Sequence, residues 1–313
     1  MQKRLMIAVV AGALAVGVTA CGSSSSSGTG TTSGSVAVDG SSTVFPLAQA
    51  AAEGFQSENP DARVTVGESG TGGGFEKFCA GEIDVANASR PIDTADEVPV
   101  CKKNNISYVE LQVANDGIAI VTNPALKIAC LTTDQLNQLW KKGSTVSNYN
   151  QLGSGTPAGE VSLYGPGTDS GTFDFFTETI NGEKGDTRTD YQPSEDDNVL
   201  VQGVEGDKSA LGYFGFSYYE SNADKLNLVA VDGGSGCIKP SVATIQDGSY
   251  KPLSRPLYIY VNTKALADNA AVKAFVDYEI ANAVESAKTA QIVPLTTEQL
   301  AKSQAALKKD EAS

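Results

Sequence analysis

Three stretches of this chain set short hydroxyl side chains and glycines at the point where a helix should begin. In the longest, Tyr164-Gly165-Pro166-Gly167-Thr168 leads into Asp169-Ser170-Gly171-Thr172, and an apolar helical pattern follows through Phe173, Phe176 and Ile180. A second runs Gly40-Ser41-Ser42-Thr43-Val44-Phe45-Pro46, with Pro46 suited to a first helical turn, where a missing N–H costs nothing. The third, Glu68-Ser69-Gly70-Thr71-Gly72-Gly73-Gly74, stands before Phe75-Glu76-Lys77-Phe78-Cys79. Free N–H groups at a helix start, flanked by hydroxyls and by no bulky side chain, make a receptor for a small anion. Each stretch alone reads as an ordinary cap or a flexible loop, and the third lacks the lysine and hydroxyl of a nucleotide P-loop. Together they change the reading of Arg90, which follows a buried strand over 84–88 and the hydroxyl of Ser89. In place of a solvated surface arginine it becomes a candidate anion ligand.

Composition narrows the chemistry. The 313 residues include no histidine, which removes Ser-His-Asp and Cys-His nucleophile activation and the common zinc sites. A secreted hydrolase built on Ser170 would therefore lack its general base, and no catalytic residue, metal ligand or cofactor is assigned. The formal charge of -14 argues against a nucleic-acid or anionic-lipid surface. An anion receptor on such a body must rely on local dipoles.

The elements that would position these turns follow an export signal. Lys3 and Arg4 precede an apolar run over 5–20 that is short for a membrane span and ends in Val18-Thr19-Ala20-Cys21. Residues 1–20 are expected to be a lipoprotein signal peptide and Cys21 to carry the lipid, which places the protein outside the cytoplasm, anchored to the cell membrane. Residues 21–35 are almost all Ser, Gly and Thr after the cysteine, a flexible tether. A cell-surface adhesin would account for the tether but not for three glycine-hydroxyl turns. With Cys21 set aside, Cys79, Cys101, Cys130 and Cys237 remain, an even number in an exported chain. Of the possible pairings, Cys79 with Cys101 and Cys130 with Cys237 is favoured.

Strand-like runs at 35–39, 63–67, 84–88, 108–113, 117–123, 211–216 and 256–261 alternate with helical patterns, among them 132–140, 269–290 and 296–309, so the fold class is α/β. Tyr213, Phe214, Phe216, Tyr218 and Tyr219 read as core in preference to a sugar-stacking platform. The runs near 117–123 and 256–261 are spaced for the chain to cross twice between two lobes. That predicts a discontinuous first lobe of residues 36–121 and 256–313 and an inserted second lobe of residues 122–255.

Gly40 to Pro46, Gly70 to Phe75, Asp169 to Thr172 and Ala210-Leu211-Gly212-Tyr213 stand in the order and approximate spacing of the phosphate-binding solute receptors of ABC transporters, and the chain resembles that family over most of its length. The resemblance implies a two-lobed periplasmic-binding-protein fold of type II with two hinge crossover strands. It also implies closure around dehydrated inorganic phosphate, and a monomer that hands its ligand to a membrane permease. The implied contacts fall on Ser42, Thr43, Val44 and Phe45, partly through backbone amides, on Thr71, and on Ser170, Gly171 and Thr172.

Two positions depart from the family. Its best-known members carry an arginine shortly before the Ser-Gly-Thr turn, where this chain has Pro166 and Gly167, and an aspartate where it has Ser89. Arg90 is expected to supply the missing charge. Asp169 or Asp116 is expected to accept the proton that phosphate keeps near neutral pH and sulfate lacks. Without such an acceptor, a receptor for sulfate, molybdate or another oxyanion is the alternative.

Overall fold

The computed structural model describes residues 32–168 and 170–311. The expected signal peptide, Cys21, most of the tether and Asp169 lie outside the described residues. In chain order the strands are β1 (Gly34–Gly40), β2 (Ala62–Val66), β3 (Val85–Ala88), β4 (Tyr108–Thr122), β5 (Cys130–Thr132) and β6 (Ser162–Pro166). They continue as β7 (Gln192–Ser194), β8 (Ala210–Gly215), β9 (Asn227–Asp232), β10 (Cys237–Ile238) and β11 (Ser254–Asn262). The first α-helices are α1 (Phe45–Glu58), α2 (Gly70–Ala80), α3 (Glu97–Lys103), α4 (Thr133–Trp140) and α5 (Gly171–Phe176).

The strands join in the order β2-β1-β3-β11-β4-β8-β6-β7, with β9 pairing β4, β5 and β10. Pairing is parallel among β2, β1 and β3 and again among β7, β6 and β8, which requires crossover connections of the kind helices provide. By contrast β11 runs antiparallel to both β3 and β4. The two long strands therefore join two α/β layers, as expected for crossover strands. The runs at 108–113 and 117–123 are one strand of 15 residues. Ala114, Asn115 and Asp116 do not interrupt it, because Leu257, Pro256 and Arg255 of β11 stand opposite them. Past Gly117 the partner changes, and Ile118 pairs with Gly215 of β8.

A separate apolar core lies on each side of this crossing. One gathers Val36, Val38, Leu47, Phe55 and Phe275; the other gathers Ile118, Ile120, Trp140, Phe176 and Tyr213. Tyr213 and Phe214 are fully buried, and Tyr213 stacks on Phe176 at 3.8 Å, so this aromatic run is core. Disulfides join Cys79 to Cys101 and Cys130 to Cys237, the expected pairing, and the first staples α3 to α2. Thr132 and Gln135 cap α4 reciprocally. The helical pattern at 269–290 breaks at Asn282 into Ala270–Ala281 and Ala283–Thr289. Among the described residues no helix is long and apolar enough to cross a membrane.

Helix Ala270–Ala281 buries Glu279 completely, and neither carboxylate oxygen has a partner among the described residues. Burial pushes this carboxyl up to about 8. Folding then takes up a proton at any pH between the ordinary carboxyl range and that value. Stability falls as pH rises across the window, by up to about 1.4 kcal/mol per unit, and the full penalty remains above it. Glu279→Gln is expected to gain little over the wild type near pH 5 and more than about 1 kcal/mol near pH 8. Urea unfolding at both pH values measures the gap; an equal gap at both would mean that the buried carboxyl titrates normally.

Candidate functional site

Close backbone packing brings the first two hydroxyl turns together. Gly40 ends β1 at φ +139°, and a Cβ there would stand 2.2 Å from the Asn87 carbonyl oxygen; a Cβ on Gly74 of α2 would stand 2.6 Å from the Gly40 Cα. Only glycine at both positions lets β1, β3 and α2 close on one another. The Ser41 N–H donates to Asn87 O at 2.9 Å, which fixes the turn leading into α1.

Asp39 pins the arrangement. Its carboxylate accepts from Gly40 N at 2.7 Å and from Ser69 N and Oγ at 2.9 Å, and it pairs with Lys77. Burial works against its charge, but the bonds from Lys77 and Ser69 outweigh it and hold the carboxyl below its ordinary range. With Ser69 held in this way, the glycine stretch expected as a loop is helical from Gly70 onward. Neither α1 nor α2 carries a side-chain cap. The Phe45, Leu47 and Ala48 N–H groups of α1 turn back to the Ser41 and Val44 carbonyl oxygens, which leaves the start of α2 to face an occupant of the space in front.

The third turn arrives from the other core. Ser170 caps α5 by accepting from Thr172 N at 3.2 Å and Phe173 N at 3.4 Å. A Cβ on Gly171 would stand 2.5 Å from Thr43 Oγ1 and 2.7 Å from Ser42 Oγ, so the α5 turn lies directly against the α1 turn. The three turns enclose a cleft of about 560 Å³ lined by Ser42, Thr43, Thr71, Ser89, Gly171 and Arg255, with Arg90, Asp174, Phe175, Glu178 and Lys184 also bordering it.

Arg255 holds these parts together. It stands opposite Asp116 at the head of β11, with its side chain 14% exposed. Nε donates to Asp116 Oδ2 at 3.2 Å, and one terminal nitrogen donates to Thr43 Oγ1 at 2.8 Å and to Gly171 O at 3.5 Å. The guanidinium lies 3.7 Å from the centroid of the Phe175 ring. Burial pulls its pKa down and Asp116 opposes that pull; a guanidinium stays charged in either case. No motif marks Arg255 in the sequence. Its one signal is to be a lone charge leading an otherwise apolar strand, which must find either solvent or a partner.

Arg90 borders the cleft but does not supply the free charge expected of it. Its terminal nitrogens donate to both Glu97 carboxylate oxygens at 2.9 and 2.8 Å and to Pro91 O at 3.1 Å. Hydrogen bonding to Glu97 raises its pKa further. Asp116, expected as a proton acceptor, is bonded to Arg255 instead. The N–H groups of Val44 and Phe45 donate to Ser41 O at 3.2 and 2.9 Å, and neither residue lines the cleft, nor do Ser170 and Thr172. Ser89 and Thr71 do line it, with their hydroxyls 3.0 Å apart. Lys184 Nζ lies 2.7 Å from Asp174 Oδ2. Among the described residues no group of side chains is arranged to hold a metal ion.

The chain matches the family model of a PBP superfamily domain over residues 25–283. It is 47% identical over 263 residues to Protein SphX of Synechococcus elongatus, covering 83% of this chain and 77% of that protein. Over 291 residues it is 40% identical to the phosphate-binding protein PstS of Staphylococcus saprophyticus, covering 91% and 89%. Among solved structures it is similar to a possible phosphate binding protein from Planctomyces limnophilus, with a TM-score of 0.84, 43% identity, and 89% of this chain and 99% of that chain covered. An ABC-type phosphate transport receptor from Vibrio cholerae shares the fold at a TM-score of 0.64 and 21% identity, covering 82% and 99%.

Gly171→Ala would drive a methyl group into Thr43 and Ser42. Overpacking of this kind is expected to cost about 1–3 kcal/mol and to part the α1 and α5 turns. Thermal unfolding and small-angle scattering measure the two effects. A variant as stable and as compact as the wild type would mean that the turns do not touch in solution.

Proposed function

This chain belongs to the PBP superfamily and is a PstS-like phosphate-binding receptor of the kind that serves ABC transporters, not an enzyme, and from that premise we propose how it holds its ligand. Inorganic phosphate is captured between two lobes, residues 36–121 with 256–313 and residues 122–255, that close about β4 and β11. The loaded receptor, a monomer tethered through residues 21–35 and a lipid on Cys21, delivers it to the permease at the membrane. The observation that carries this reading is the contact of one buried cation, Arg255, with the α1 turn at Thr43 and the α5 turn at Gly171. An anion seated there touches both lobes and the strand that joins them. Only such differential contact shifts the population toward the closed form.

Magnitudes call for several donors. A helix terminus contributes at most about 2 kcal/mol, so the uncapped start of α2 falls short of the roughly 8 kcal/mol of micromolar binding. Charge-assisted hydrogen bonds of about 1.5–3 kcal/mol each from Ser42, Thr43, Thr71 and Arg255 supply the remainder. Ordering on closure takes part of it back. Each cation bordering the cleft already has a carboxylate partner: Arg255 with Asp116, Arg90 with Glu97, Lys184 with Asp174. Recognition therefore rests on directed donors and not on a positive field.

Both carboxylates have a cation partner, but Asp116 does not border the cleft, whereas Asp174, paired with Lys184 and with its side chain 23% exposed, does, so the acceptor role passes to Asp174. A carboxylate there accepts from protonated phosphate and repels sulfate, which has no proton to offer.

Calorimetric titration with phosphate and sulfate tests the proposal. Arg255→Ala is expected to weaken phosphate binding about a hundredfold or more. Arg255→Lys will not restore it, because the fork and the stacking on Phe175 are lost. Asp174→Asn is expected to narrow the preference for phosphate over sulfate about tenfold. Wild-type affinity in Arg255→Ala would place the anion elsewhere, and an unchanged preference in Asp174→Asn would return the acceptor role to Asp169. A further expectation concerns salt: raising ionic strength from about 0.05 to about 0.5 M should change wild-type affinity less than about threefold. A steep loss would mean that a net positive field does the binding.

A further inference from the structure

Arg90 stands beside Ser89 on the cleft wall, yet both ends of its guanidinium are taken by Glu97, at 2.8 and 2.9 Å. The carboxylate is the fixed member of this pair. Its side chain is 17% exposed against 44% for Arg90, and it also accepts from Asp93 N at 2.7 Å. Glu97 opens α3, which the Cys79–Cys101 disulfide staples to α2, and Cys79 Sγ lies 3.6 Å from the Glu97 carbonyl oxygen. The clasp is thus anchored to the helix whose uncapped start lines the cleft. Arg90 reaches it with its guanidinium carbon 5.5 Å from the centroid of the Phe75 ring.

Resting on the phosphate-receptor reading, we propose that Glu97 is a specificity-determining residue: by clasping Arg90 at the cleft wall it withholds a second positive charge from the bound anion. A free arginine fork beside Ser89 would bind two oxygens of any tetrahedral oxyanion, whether or not that anion carries a proton. Its attraction grows with the charge of the anion. Below neutral pH, where most phosphate is singly ionised, such a cation favours the sulfate dianion over phosphate. The clasp removes that bias and leaves discrimination to hydroxyls, amides and the acceptor. The other charges acting on Arg90 are Glu178 and Asp93, and neither is hydrogen-bonded to it. Glu97 is therefore the charged group that fixes where the guanidinium points, with the Pro91 carbonyl oxygen and the Phe75 ring beside it.

A double-mutant cycle on the full-length protein decides the matter, read as phosphate and sulfate affinities near pH 6. Arg90→Gln alone is expected to leave both affinities within about twofold, as for a charge that does not reach the ligand. Glu97→Gln is expected to raise sulfate affinity about tenfold and phosphate affinity less, and to steepen the salt dependence of both. The double variant should return to wild-type selectivity. Glu97→Asp, whose shorter side chain cannot hold both ends of the guanidinium, tests the same point if Glu97→Gln disturbs α3, with circular dichroism reporting the fold. A severalfold loss of phosphate binding in Arg90→Gln would overturn the proposal, since Arg90 would then already be a ligand. So would an unchanged sulfate-to-phosphate ratio in folded Glu97→Gln and Glu97→Asp. Phosphate binding by the wild type tests the receptor reading separately, so the two failures are distinguishable.

Discussion

A guanidinium can sit at the floor of this cleft only because a carboxylate is fixed opposite it on the neighbouring strand. Burying an unpaired charge costs several kcal/mol, and a partner offsets that cost only when its geometry is imposed by something stiffer than side chains. Here the stiffness comes from the β4–β11 ladder, which sets Arg255 against Asp116. A slip of one residue in that register would turn Arg255 to the other face and leave Asp116 buried without its partner. The same ladder joins the two apolar cores. The cation that touches the turns from both sides is therefore carried by the element about which those sides meet.

The opposite face of the crossing is built differently. Successive residues of a strand point to opposite faces, and Asn115, next to Asp116, turns its amide away from the cleft. It bonds Gln112 and Gln299 and the carbonyl oxygen of Pro294. Gln299 continues to the carbonyl oxygen of Gln246, and Gln246 returns to Pro294. This loop of neutral amides ties helix Thr297–Glu311 and helix Val242–Gln246 to the middle of β4. The two faces of one strand thus have separate tasks. Charge and hydroxyls serve the ligand on one side, and on the other a satisfied amide network holds the crossing point together, without the desolvation cost of ions.

Sequence reasoning reached what is written locally. Hydroxyl-glycine turns, helix starts and alternating strands depend on neighbours a few residues away, and Ser42, Thr43, Thr71, Ser89 and Gly171 do line one cleft. The residues it missed depend on distant pairing. Arg255 acquires its role from Asp116, 139 positions earlier, and from Thr43, 212 positions earlier. Asp39 gains its role from Ser69 and Lys77 on α2. Arg90 shows the converse: its place beside the cleft was legible, but its orientation was set by Glu97, whose helix is held by a disulfide to α2. The glycines of α2 looked like a loop because glycine disfavours helix. Contact between Gly74 and Gly40 overrides that preference.

The three ion pairs at the cleft form a gradient of exposure that separates what can be tuned from what cannot. Side chains of Arg255 and Asp116 are 14% and 11% exposed, those of Arg90 and Glu97 44% and 17%, and those of Lys184 and Asp174 60% and 23%. Removing one member of a buried pair costs about 3–5 kcal/mol, whereas an exposed pair contributes about 0–1 kcal/mol. A change at Arg255 or Asp116 therefore puts the fold of the crossing at risk along with the site. A change at Glu97 or Lys184 alters which charges the ligand meets at little cost in stability. A receptor that must stay folded while its preference among oxyanions shifts has room to do so at the cleft's exposed pairs, and its floor has to remain as it is.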